Sequence, residues 1–245
     1  PETRKNSISF RGNLHRLANE FIDRGEFEKA NEIMDLSFEK MPINFFEYYS
    51  LSEPYILSYY KIGEDKKAQN LYRTIEAKYL DQIKYYSISM REYEDIFDLS
   101  EFAENIFTYT ERYRGLIENQ IKLGNYDFVK PSIKSFVDYT EIFKGIYGEY
   151  DYYMFLISFI EPLYLSSEND LARKLYKDIY NQIVSRLETI ISAKDESNFT
   201  YLSNLFDEEI ESAKSLIDII SLYESKDYQV KESNKLEGFI SEFFN

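Results

Sequence analysis

Apolar residues recur along this chain with a helical period. Leu14, Leu17, Ala18, Phe21 and Ile22 stand at i, i+3, i+4, i+7 and i+8, one stripe of a helix. Gly25 follows, the residue type that takes a left-handed C-terminal conformation without steric cost. Phe27, Ala30, Ile33, Met34 and Phe38 then restart the period, and Pro42 closes it. The spacing predicts helices over about 7–24 and 26–40, the first capped by Asn6 or Ser7. The block then recurs. Tyr55, Ile56 and Tyr59 replay Leu17, Ala18 and Phe21, while Gly63 and Ala68 replay Gly25 and Ala30, each 38 residues on. Pro54 falls in the first turns of its helix, where a missing N–H costs least.

From 81 to 100 the pattern loosens, and a helix broken near Ser89 or Asp98 is expected. A long helix over about 100–123 follows, with Phe102, Ile106, Tyr109, Tyr113, Leu116, Ile117 and Ile121 along one side. Gly124 and Tyr126 repeat the Gly–x–aromatic turn. Val129, Ile133, Phe136 and Val137 make the partner helix, with Pro131 placed in about its first turn. Leu156, Phe159, Ile160 and Leu163 mark a helix over about 152–166. Ser167 holds the turn place of Gly, and Leu171, Ala172, Leu175, Tyr176 and Ile179 make the helix after it, reaching about Ala193. Asp195 to Asn198 reads as a turn, then a helix over about 199–224 and a last one carrying Leu236, Phe239, Ile240 and Phe243. Lys226 is the fifth expected turn position, and no segment alternates as a strand does.

Large–large–small on a first helix, Gly before an aromatic, and Ala with a large apolar residue on a second helix resemble the tetratricopeptide repeat. The expected fold is all-α, a tetratricopeptide-like helical-repeat superhelix with extra inter-repeat helices. Residues 1–92 form two clear repeats in this reading, and 93–245 continue the array in degenerate form.

Composition narrows the chemistry. The net charge of −15 argues against nucleic acid and against an anionic membrane surface, both of which need clustered Lys and Arg. The absence of Cys removes disulfides, thiolate catalysis and Cys-ligated zinc, and suits cytoplasm and periplasm alike. No apolar run reaches the roughly 18 residues a membrane span needs. The longest, Tyr152 to Leu165, is interrupted by Glu161 and Pro162. With Pro1 first and no signal peptide, a fragment of a longer protein is expected.

Candidate sites are few. His15, the only His, lies one place off the apolar stripe, with no Cys or second His to partner it in catalysis. Acid pairs such as Glu28 with Glu32, Glu92 with Glu94 and Asp95, and Glu208 with Glu209 are spread along helical faces, many beside Lys or Arg. Glu28 with Lys29 and Glu64 with Lys67 read as solvated surface pairs. No metal or cofactor motif occurs, so none is assigned. The 24 Tyr and 19 Phe, with no Trp, suit helix interfaces, or a groove where ring and hydroxyl meet a peptide or sugar. Two clusters carry that second reading. One is Tyr48, Tyr49, Tyr55 and Tyr59, beside Phe45, Phe46 and Tyr60. The other is Tyr109, Arg112 and Tyr113, with Arg114 adjacent, although pairing of Arg112 with Glu111 or Glu118 on the same helix is the plainer account.

A further resemblance covers residues 2–86. Arg11, Asn13, Arg16, Leu17, Ala18, Gly25, Pro42, Pro54, Tyr59, Tyr60, Lys61, Gly63, Tyr85 and Tyr86 follow the order seen in a family of Bacteroidetes membrane proteins. It is similar to the C-terminal tails of these large multi-pass proteins, which themselves resemble protein O-mannosyltransferases of the GT-C type. The resemblance implies a non-catalytic, extracytoplasmic interaction module on the periplasmic side of the membrane, holding a protein, peptide or glycan. The family's catalytic acid belongs to the membrane half, so no catalytic residue carries over. The competing expectation is a stand-alone tetratricopeptide-type scaffold or cell-surface assembly protein. A third is an enzyme using paired acids in a groove.

Overall fold

The computed structural model describes residues 2–46, 49–92, 100–139, 142–144, 148–194, 198–224 and 226–244. Among them all regular structure is helical. The helices are α1 (Glu2–Asp23), α2 (Phe27–Lys40), the short α3 (Ile43–Phe46), α4 (Glu53–Lys61), α5 (Asp65–Glu92), α6 (Ser100–Lys122), α7 (Tyr126–Asp138), α8 (Glu149–Leu165), α9 (Asn169–Ser192), α10 (Phe199–Ser221) and α11 (Lys226–Phe244). A 3₁₀ turn, Tyr49–Leu51, leads into α4. The chain divides into two compact units, Pro1–Leu116 and Ile117–Asn245, and the dividing line falls within α6. None of the described helices is long and apolar enough to cross a membrane.

Four turns share one hydrogen-bond pattern. Gly25, Gly63, Gly124 and Ser167 all have left-handed backbone, with φ of 73°, 80°, 76° and 63°. In the first, Gly25 N–H donates to the Ile22 carbonyl at 2.9 Å and Glu26 N–H to the Phe21 carbonyl at 2.8 Å. Gly63 with Glu64, Gly124 with Asn125, and Ser167 with Glu168 repeat those bonds at the same offsets. This is the Schellman closure, which satisfies carbonyls that a helix end otherwise orphans. Glycine reaches this backbone without a Cβ clash, and Ser167 reaches it under strain.

The turns fix a common register. Five, nine and twelve residues after the left-handed position stand Ala30, Met34 and Ser37; Ala68, Tyr72 and Ile75; Val129, Ile133 and Phe136; and Ala172, Tyr176 and Ile179, all buried. Seven residues before it, Ala18, Ile56, Ile117 and Ile160 are buried too. These positions close α1 on α2, α4 on α5, α6 on α7 and α8 on α9. The first helix of a later hairpin then docks on the hairpin before it, and α4 meets both α1 and α2. Tyr55 of α4 exchanges a hydrogen bond with Ser37 of α2 at 3.0 Å and meets the Phe38 ring at 4.9 Å. Tyr113 of α6 donates to Glu76 of α5 at 3.1 Å. Phe159 of α8 lies edge-on to Phe136 of α7 at 5.4 Å.

Arg11 fixes the start of this arrangement. Its buried guanidinium donates to Ser52 Oγ at 3.1 Å and to the Met41 carbonyl, and it faces the Phe38 ring at 5.5 Å. The Tyr55 hydroxyl donates to the Arg11 carbonyl at 2.7 Å. Burial pushes the Arg11 guanidinium below its ordinary value. Pro54 lies at the start of α4, as its ring requires.

Several expectations are corrected. Helix α1 begins at Glu2, because nothing in residues 2–6 breaks a helix, so Asn6 and Ser7 are interior and Ser7 is buried rather than capping. No break occurs at Ser89. Helix α5 runs unbroken to Glu92, with the Ser87 hydroxyl donating back to the Ile83 carbonyl at 2.6 Å. Asp98 lies outside the described residues. Pro131 is the sixth residue of α7 rather than in its first turn, so its missing N–H leaves the Asp127 carbonyl without that helical bond. Lys226 is not a turn residue but the first of α11, and α10 ends at Ser221.

Candidate functional surface

Within the unit Pro1–Leu116, aromatic residues from three segments gather about one acid of a fourth. Tyr79, a fully buried residue of α5, donates its hydroxyl to Glu53 Oε1 at the start of α4. The Tyr79 ring meets Tyr49 edge-on at 6.2 Å and Tyr109 of α6 at 6.1 Å. Tyr109 in turn stacks on Tyr86 at 6.0 Å, and the Arg112 guanidinium lies 5.7 Å from the Tyr109 ring centre. Tyr109 and Glu53 are half-buried and Arg112 is exposed. The outcome is a half-buried carboxyl below an aromatic shelf, with a cation at its outer edge.

Helical spacing explains who comes together. Tyr79 and Tyr86 are seven apart on α5, hence on one face, and Tyr109 and Arg112 are three apart on α6. Burial pushes the Glu53 carboxyl above its ordinary 4.5, while the Tyr79 hydrogen bond and the Arg112 charge pull it back. Burial next to that carboxylate drives the Tyr79 hydroxyl up, out of reach of titration. Chemically the surface offers a planar cation with five donors, π faces, and a carboxyl that accepts or, when protonated, donates.

The sequence-selected residues divide into two groups. Tyr49, Tyr109 and Arg112 are brought together here, although they came from separate clusters. Tyr55, Tyr59 and Tyr113 are instead enclosed between helices: Tyr55 with Ser37 and Arg11, Tyr59 donating to Asp35 at 3.0 Å, and Tyr113 with Glu76. Tyr48 lies outside the described residues. Tyr55 and Tyr59 of α4 therefore face α1 and α2 rather than a groove, because docking on the preceding hairpin consumes that face. Glu53, Tyr79 and Tyr86 were not selected from the sequence. The 72, 75, 79, 83 stripe on α5 marks Tyr79 as interior, but nothing local links it to an acid 26 residues earlier.

Charge pairing also differs from expectation. Arg114, not Arg112, takes Glu111, at 2.8 Å. Lys67 reaches Asp35 at 2.6 Å and Asn31 at 2.8 Å rather than Glu64, and Lys29 takes Glu26 rather than Glu28. Glu209 is buried and pairs with Arg186 at 2.7 Å. His15 packs on Tyr55 at 4.8 Å and its Nε2 meets Ser58 Oγ at 3.0 Å. Burial, helped by Lys61, lowers its pKa, so it serves as a neutral packing group. Among the described residues no group of His, Asp or Glu has the arrangement of a metal site.

The unit Ile117–Asn245 holds a cavity of about 250 Å³ lined by Lys144, Tyr153, Lys174 and Asp178 among apolar residues. It is smaller than the roughly 300–1,000 Å³ pockets that enclose drug-sized ligands. Comparison of the chain with protein-family models, with curated proteins and with solved structures finds no match in any of the three.

Proposed function

We propose that this chain is a non-catalytic interaction module that holds a protein segment or glycan on the Glu53–Tyr109–Arg112 surface. We further propose that it is the extracytoplasmic tail of a multi-pass, glycosyltransferase-like membrane protein, arranged as a tetratricopeptide-like superhelix. The observation that carries the binding reading is the exposed Arg112 guanidinium held over Tyr109 beside a half-buried carboxyl. A guanidinium grips a carboxylate bidentately, and stacked rings accept a sugar face or peptide side chain. The tail reading rests on the order of residues 2–86 described above.

Titration calorimetry of the chain against acceptor peptides and soluble glycans tests the binding reading. Binding that Arg112→Ala weakens about tenfold, the scale of one good charged anchor, is the expected result. No binding to either class, or binding indifferent to Arg112→Ala, contradicts it. The tail reading fails if deleting this segment from the native protein leaves glycosylation unchanged. A second reading is a stand-alone scaffold. Hydropathy of the native gene product upstream of Pro1 separates the two.

A further inference from the structure

The cavity of about 250 Å³ in the unit Ile117–Asn245 has an apolar floor and a charged rim. Leu171, Lys174, Leu175 and Asp178 line it from α9, at i, i+3, i+4 and i+7, one face of a helix. Leu175 and, from α8, Leu156 are buried, whereas Lys174 is exposed and Asp178 half-buried. Burial thus puts the leucines at the bottom and the charges at the mouth. Lys144, half-buried, adds a second cation, its ammonium 4.7 Å from the centre of the Tyr153 ring, which also lines the cavity. Lys174 and Asp178 stand one turn apart on α9, yet they form no ion pair with each other among the described residues. Two lysines against one aspartate leave this rim positive, in a chain whose net charge is −15.

We propose that this cavity binds a carboxylate carried on a compact apolar body, such as an aryl ring or a branched alkyl chain. An apolar cavity of about 150 Å³ already admits a benzene-sized group, so this one holds such a body with room for the carboxylate. Leu156 and Leu175 take the body, and the ammonium groups of Lys144 and Lys174 take the carboxylate. Each ammonium carries three donors, so a lysine serves the ligand alongside a protein neighbour. Asp178 sets the limit on charge. It repels a second negative group, which favours a single carboxylate over a dianion. The apolar floor in turn gives a bare inorganic anion nothing to pack on. Two sources carry this chemistry: a free small acid, and the apolar C-terminal residue of a peptide. The proposal is independent of the Arg112 surface, which belongs to the other unit.

The test is a fluorine NMR titration of the full chain with para-(trifluoromethyl)phenylacetate and with its neutral amide. Saturable binding of the acid with a Kd of about a millimolar or tighter is expected, the scale for so small a ligand. The amide should bind at least about threefold more weakly, having no charge for the lysines. Lys174→Gln should weaken the acid about threefold or more, and Asp178→Asn should strengthen it, because a like charge is removed. Lys214→Gln, the same change of charge at an exposed lysine of the same unit, should leave binding unchanged. A peptide ending in Phe with a free carboxylate, competed against the small acid, identifies the source. Tighter binding of the peptide assigns the cavity to a chain terminus, and binding of the small acid alone assigns it to a free acid. No saturable binding of either acid, equal binding of acid and amide, or displacement by equimolar inorganic phosphate overturns the proposal. So does binding that is indifferent to both Lys144→Gln and Lys174→Gln, or weakened by Asp178→Asn.

Discussion

Leu17 and Leu116 are the same residue type at the same place, eight residues before a left-handed glycine on the first helix of a hairpin. Leu116 is enclosed and Leu17 is largely exposed. Their helices, their turns and the small or branched residue after them (Ala18, Ile117) are alike and buried alike. What differs is what precedes them in space: α5 packs against α6, whereas no described helix covers that side of α1. Closure within a hairpin and docking between hairpins are thus two separate uses of one helix. The first is written into each hairpin, and the second depends on having a neighbour.

The docking register gives the largest expected effect. Phe159→Ala removes a buried ring stacked edge-on to Phe136, and a loss of about 3–5 kcal/mol is expected by urea unfolding followed by circular dichroism. A loss no larger than that of an exposed residue would break the equivalence between α8 and the other docking helices.

The turns come next. Gly124→Ala places a Cβ at φ 76° and should cost about 1–2 kcal/mol in the same assay. Ser167→Gly, at φ 63°, should act in the opposite direction by about 0.5–1 kcal/mol, strain relief being partly offset by the entropy of glycine. If both changes had the same sign, the four turns would not be equivalent.

The smallest effect concerns pH. Glu53 titrates above its ordinary 4.5 in the folded chain, chiefly because it is buried. A raised carboxyl stabilises the fold below its unfolded value, and that stability is lost as pH rises through the folded value. Glu53→Gln removes this loss, so the melting temperature of the variant should gain on that of the wild type as pH rises above the ordinary 4.5. A difference that does not vary with pH would mean that Glu53 is solvated and that the Tyr79 contact is slack.

Much of the hairpin architecture was legible in the sequence because its signals are local. Gly25, Gly63 and Gly124 each end a helix by their own backbone, and Ser167 was placed correctly by its position between two apolar stripes. Ala18, Ala30 and Ala68 announced close approach by their size. Lys226 begins a helix instead of a turn, and no described residue beside it has left-handed backbone. The docking face was not legible. Leu17 and Tyr55 occupy matching places in matching stripes, and only the packing of α4 on α2 distinguishes a covered position from an open one. The same holds for the candidate surface: Tyr109 and Arg112 stood out as neighbours on one helix, whereas Glu53 and Tyr79 meet across 26 residues of chain. Tyr59 and Tyr113 suggested a ligand by their rings, yet each hydroxyl is taken by an acid of the preceding hairpin, Asp35 and Glu76.

Leu17→Ala and Leu116→Ala, compared side by side in urea unfolding, test the docking register most directly. The chemical change and the register are identical, so the difference reports the neighbour alone. A cost of about 2–5 kcal/mol at Leu116 and within about 0.5 kcal/mol at Leu17 is the predicted result. Equal costs would contradict it, because α1 would then already be covered on the face described here as open.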